Sequence, residues 1–193
     1  MAMMKSSFQN AGCTVYNWGY PSKDKLIEEH AQDLNIFLNE VLLFHPDEEI
    51  HFVTHSLGGI ILRAAAQQKG FPLQAKRGKA VLIAPPNKGS CFGNYLAKFA
   101  WVRKLVGSKS GSQLLNTRSF LDLGPFPSTM KILVISGTLG FNPIIKDRND
   151  GKVGVQESCL AQTHLHRTVK ASHSWICYSP QTIALAKKFL LDY

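Results

Sequence analysis

Between Ser22 and Phe44 the apolar side chains Ile27, Ala31, Leu34, Leu38 and Val41 recur at alternating steps of four and three. That spacing lays them along one face of a helix, with Ser22 or Asp24 as N-cap and His45-Pro46 as its stop. Met4, Phe8 and Ala11 show the same spacing ahead of Gly12 and predict a first helix there. Short β-rich runs separate the helical stretches: Cys13–Trp18, Ile50–Thr54, Ala80–Ala84, Lys131–Ser136 and Arg167–Ala171. Leu57–Lys69, closed by Gly70, and Thr182–Leu191 predict two more helices. Strands alternating with helices imply an α/β protein, a mainly parallel sheet of about five strands with helices on both faces.

The pattern changes between Asn87 and Pro127. Phe92, Tyr95, Leu96, Phe99, Val102 and Val106 lie at helical spacing, with Lys98, Arg103 and Lys104 between them. This predicts a helical insertion over the sheet's C-terminal edge, its apolar face read as core ahead of a lid. No linker or repeat divides the chain, so a single domain over residues 1–193 is expected.

Composition narrows the picture only a little. With 45% hydrophobic and 18% charged residues the chain is globular in type. No apolar run approaches the ~20 residues that cross a bilayer. The first residues lack a charged region followed by an apolar stretch, which leads to a cytoplasmic expectation. Net charge is +9, but the cations are scattered, and no aromatic-interleaved basic stripe supports a nucleic-acid partner. The basic, amphipathic 98–109 stretch fits an anionic membrane surface better. Cys13, Cys91, Cys159 and Cys177 are far apart, without C-x-x-C, and read as small buried thiols and not as metal ligands.

The most informative stretch is Thr54-His-Ser-Leu-Gly-Gly, placed directly between a predicted strand and a predicted helix. A nucleophilic Ser must stand clear of the backbone, so that a base reaches one side and a substrate the other. A very tight strand-to-helix turn achieves this and demands small residues two before and two after the Ser. It also aims the helix N-terminus at a developing oxyanion, with the Leu57 N–H as one donor. These residues resemble the G-x-S-x-G elbow of lipases and esterases of the α/β-hydrolase superfamily, with Thr54 where Gly is usual. Asn149-Asp150-Gly151-Lys-Val resembles the segment that carries the acid in that family, and Asp147 is the competing carboxylate. Ala171-Ser-His173-Ser resembles the loop that carries the base. Val15–Ser22 resembles the strand and loop before the nucleophile strand in that family, and Pro85–Ser90 resembles the loop after the next strand.

The resemblance implies a serine hydrolase acting on carboxylic or lipid esters, with Ser56 as nucleophile, His173 as base and Asp150 as acid. His55, Phe92, Tyr95 and Phe99 are the substrate-facing candidates, and no cofactor is expected. A metal on His164-x-His166 with His173 is not expected, for want of a paired carboxylate pattern. A calcium loop from Asp147 fails because Lys152 replaces the required Gly and Ser158 the final Glu. In this family an upstream strand and His-Gly loop supply the second oxyanion donor, and nothing before Cys13 matches them. A fragment, a shortened protein with a differently closed sheet, and a decayed gene product all fit that departure. A non-catalytic scaffold binding a lipid or protein partner is the competing functional reading.

Overall fold

The computed structural model describes residues 1–22, 24–99, 113, 120 and 122–191. In chain order the elements are α1 (Ala2–Gln9), α2 (Ile27–Leu42), β1 (Phe52–His55), α3 (Leu57–Ala66), α4 (Leu73–Arg77), β2 (Lys79–Ile83) and α5 (Cys91–Leu96). They are followed by β3 (Lys131–Gly137), α6 (Val155–Ser158), β4 (Leu165–Val169), a 3-10 turn (Ile176–Tyr178) and α7 (Pro180–Leu191).

The strands form one parallel sheet in the order β1-β2-β3-β4, with Val53 opposite Val81, Val81 opposite Leu133 and Leu133 opposite Leu165. Alternation along the central strands separates two cores. Ala80, Leu82, Ile132 and Val134 face α2 and α3, where Ala31, Leu34, Leu38, Ile60 and Ile61 join them. Val81, Ile83, Leu133 and Ile135 face the opposite way, onto Met4 and Phe8 of α1 and Ala186 and Leu190 of α7. The result is a three-layer αβα arrangement.

The α2 face is the predicted one: Ile27, Ala31, Leu34, Leu38 and Val41 are all buried. Its cap differs. The helix begins at Ile27, and the Glu29 carboxylate accepts the Leu26 N–H at 2.6 Å, so Ser22 and Asp24 lie too far upstream to cap it. The β4 strand begins two residues earlier than its sequence pattern suggests, and α4 was not expected.

One expected strand does not form. Gly12, at φ 84°, turns the chain after α1, and the Cys13 N–H returns to the Phe8 carbonyl. The β-prone rings that follow are occupied with helix packing: Tyr16 meets Phe37 and His45 edge-on, and Trp18 stacks on Tyr20, which meets His30. The sheet of the described residues therefore has four strands, not about five.

The 87–127 insertion is described only at its ends. Ser90 caps α5 by accepting the Gly93 N–H at 3.1 Å, but no residue of that helix is buried. Of the expected apolar face, Phe92 and Leu96 are half-buried and Tyr95 and Phe99 exposed. Farther on, Phe120 and Phe126 do enter the first core. Val102, Arg103, Lys104 and Val106 lie outside the described residues. All four cysteines are thiols; Cys177 is buried, Cys13 and Cys159 are half-buried, and Cys91 is exposed, against expectation. Among the described residues no helix is long and apolar enough to cross a membrane.

Candidate active site

Ser56 occupies the single step between β1 and α3, at φ 52° and ψ −122°. A non-Gly residue in that region costs on the order of 1–3 kcal/mol, which the surroundings must hold in place. They do so from both sides. The Ser56 N–H extends the sheet by bonding the Ile83 carbonyl at 2.9 Å, and the Ser56 carbonyl accepts the Gly59 N–H at 3.0 Å. A Cβ on Gly59 would stand 3.1 Å from that of Pro85. The departure at Thr54 is accommodated, since a Cβ on Gly58 would meet the Thr54 Cβ at an ordinary 3.6 Å.

His173, buried, reaches Ser56 Oγ with Nε2 at 3.0 Å and Asp150 Oδ2 with Nδ1 at 2.8 Å. Asp150 is 2% exposed, and its other oxygen accepts the N–H groups of Lys152 and Val153 at 2.9 and 2.8 Å. A carboxylate accepting from Nδ1 assigns the ring proton to that nitrogen and leaves Nε2 free to accept from the serine hydroxyl. Asp150 and His173 are tied a second time, because the Asp150 carbonyl accepts the His173 N–H at 2.9 Å. Asp147 is elsewhere: its carboxylate accepts the Arg148 and Gln156 amides.

Two glycines make this meeting possible, and neither was singled out from sequence. A Cβ on Gly140 would lie 1.9 Å from the Gly151 nitrogen and 2.1 Å from the Asp150 carbonyl carbon. One on Gly137 would lie 2.5 Å from the Ala171 oxygen and 2.7 Å from the Asp150 Cβ. The only hint in the sequence is that Gly137 ends an apolar strand run.

His55 packs behind the base. Its Nε2–H donates to the His173 carbonyl at 3.1 Å, and the two rings lie 4.9 Å apart. Burial, and secondarily the neighbouring His173, push the His55 imidazole down to about 4. It is therefore neutral near pH 7 and supports the backbone of the His173 loop. Leu57 opens α3, so its N–H belongs to the first-turn donors that have no acceptor within the helix.

Tyr95 and Phe99 meet edge-on at 5.5 Å, both exposed, while Phe92 is half-buried. Leu139 and Phe141 on the loop that precedes Asp150, and Trp175 and Tyr178 just after His173, are also exposed. The latter four were not expected, because isolated apolar residues in loops carry no periodic signal. Two surface grooves, one along α2 and one between α1 and α7, are lined by residues remote in sequence from these loops. His164 and His166 do not gather with His173, whose ring is engaged by Ser56 and Asp150; they gather with Cys159.

The sequence matches no protein-family model and no curated protein. Solved structures do match. The mature Bacillus licheniformis lipase BlEst2 superposes with a TM-score of 0.64 at 18% identity, over 86% of this chain and 75% of that one. The phospholipase PlaB from Legionella pneumophila, in complex with thio-NAD, gives a TM-score of 0.67 at 14% identity, over 98% of this chain and 54% of that one. The metagenomic carboxyl esterase MGS0156 gives 0.58 at 18% identity, over 76% and 52%. Together with the parallel sheet and its flanking helices, these likenesses define the fold as that of an α/β-hydrolase.

Proposed function

We propose that this chain is a serine hydrolase that cleaves carboxylic esters through an acyl-Ser56 intermediate. The observation that carries the reading is the contact pair at His173, 3.0 Å to Ser56 Oγ and 2.8 Å to Asp150 Oδ2, at a serine held with positive φ. In the first half-reaction His173 Nε2 takes the Ser56 proton as Oγ attacks the ester carbonyl carbon. The carbonyl oxygen becomes an oxyanion facing the Leu57 N–H and the positive end of α3. Collapse breaks the carbon–alkoxy bond, and the imidazolium returns its proton to the departing alcohol. Water then attacks the acyl-serine with His173 again as base, releasing the acid and restoring Ser56. Asp150 holds the ring in the productive tautomer and stabilises the imidazolium.

Phe92, Tyr95 and Phe99 supply apolar surface for the acyl portion, and the exposed Leu139, Phe141, Trp175 and Tyr178 suit a lipid or otherwise apolar ester. The basic balance of the chain, +9, fits approach to an anionic lipid surface.

Labelling with a fluorophosphonate tests the reading. The purified chain, shown folded by circular dichroism, is expected to label at Ser56 alone by peptide mass spectrometry, and the Ser56→Ala variant not at all. A folded chain that stays unlabelled would replace the hydrolase with a non-catalytic scaffold.

A further inference from the structure

Away from Ser56, the fold gathers three metal-ligating side chains that the proposed reaction does not use. One ligand atom each from Cys159, His164 and His166 lies within 4.8 Å of the others. We propose that these residues bind a thiophilic divalent cation of the Zn2+ class, with three protein ligands and a fourth position left to water.

The geometry is close to what such a cation requires. Cys159 Sγ stands 3.6 Å from His166 Nδ1. A tetrahedral ion with bonds of about 2.3 Å to sulfur and about 2.0–2.1 Å to nitrogen sets those atoms about 3.6 Å apart. His164 is also held in the tautomer the site needs, and the Ser136 hydroxyl can hold His166 in its own. His164 donates its Nδ1–H to the Gln162 carbonyl at 2.8 Å, which leaves the lone pair on Nε2. His166 Nε2 stands 2.8 Å from the hydroxyl of Ser136. With Nε2–H donating there, Nδ1 turns its lone pair toward the sulfur. A metal-bound histidine characteristically has its second nitrogen engaged in this way. His164 and His166 are two residues apart at the entry to β4, where alternate side chains share a face. All three ligands are half-buried, which suits a site with one position open to solvent.

The placement gives the cation a structural role. Cys159 follows α6 and the loop of Asp150, and His166 belongs to the strand that leads to His173. A bound ion would clip the connection between the acid-bearing and base-bearing segments. The bland alternative is a thiol–imidazole hydrogen bond with no metal affinity.

Cobalt separates the two. The full chain, tag-free and stripped of metal, is titrated with Co2+ while the thiolate-to-cobalt charge-transfer band and the intense visible bands of tetrahedral Co2+ are followed. One equivalent of Co2+ should develop both, and Zn2+ should bleach them and raise the melting temperature. Cys159→Ser should abolish the charge-transfer band, and His164→Gln should weaken binding at least tenfold. Ser136→Ala should retain the band but weaken binding by about 10–100-fold. A folded wild-type chain that develops no band would overturn the proposal. So would a band that survives in Cys159→Ser, which would assign it to Cys13, Cys91 or Cys177.

Discussion

The loops that follow β3 and β4 and the segment that follows β2 are built on opposite principles. In the first pair almost every polar group near Asp150 and His173 has a fixed partner: the carboxylate holds two amides and an imidazole, and the two loops are joined again through the backbone. Gly137 lets the two loops approach, and Gly140 lets the Asp150 loop fold back on itself, at distances no side chain allows. In α5 no residue is buried, and Tyr95 lies on the surface against Phe99, which follows the helix. On the proposed reaction, the groups that would hold one geometry through it are overdetermined, while the surface proposed for the substrate is left open. Substitution should therefore act through chemistry and folding in the first region, and through substrate affinity in the second.

The largest effect is expected at the acid. Asp150→Asn removes the charge that stabilises the imidazolium and the acceptor that fixes its tautomer, and should lower kcat for a p-nitrophenyl ester by about 10⁴-fold. Circular dichroism should be unchanged. A loss below tenfold would transfer the role to another carboxylate, Asp147 first. Gly140→Ala comes next, because its Cβ would fall 1.9 Å from the Gly151 nitrogen, far inside van der Waals contact. It should cost about 3 kcal/mol or more in urea unfolding. Near-wild-type stability there would show that the Asp150 loop yields easily.

A smaller effect follows from His55, whose imidazole is pushed down to about 4 in the fold, against about 6.5 in the unfolded chain. Between those values the unfolded chain binds the additional proton, so this contribution to stability is complete above pH 6.5. It is lost as pH falls toward 4, by about 2–3 kcal/mol. Urea midpoints of wild type and His55→Gln, compared across that range, should differ in slope; parallel curves would remove His55 as the cause. The smallest stability change is expected in the open region. Tyr95→Ala and Phe99→Ala should each leave stability within about 0.5 kcal/mol. Each should raise KM severalfold for a long-chain ester, and an unchanged KM would move substrate contact to the Leu139, Phe141 and Trp175 rim.

Much of this fold was legible along the chain wherever a local pattern and a tertiary need coincide. The α2 face was read residue by residue because a helix buries one stripe and its period is fixed. β2 and β3 were read because strands covered on both faces are continuously apolar. Cys13–Trp18 misled for the converse reason: aromatic and β-branched residues fit a sheet, but they serve equally well packed across helices. Along the insertion, helical spacing of apolar residues does not say whether a core lies beneath them: Cys91–Leu96 buries no residue, while Phe120 and Phe126 enter the core.

The sequence by itself determined the αβ alternation, the tight turn at Ser56 and the order in which serine, acid and histidine arrive, since each is written in neighbouring residues. Only the tertiary structure brought Asp150, and not Asp147, to His173, set His55 behind His173, and showed why Gly137, against Ala171, carries no side chain. Those outcomes depend on distances between segments far apart in the chain, and a distance across the sheet is fixed by packing rather than by any local preference of the residues that span it.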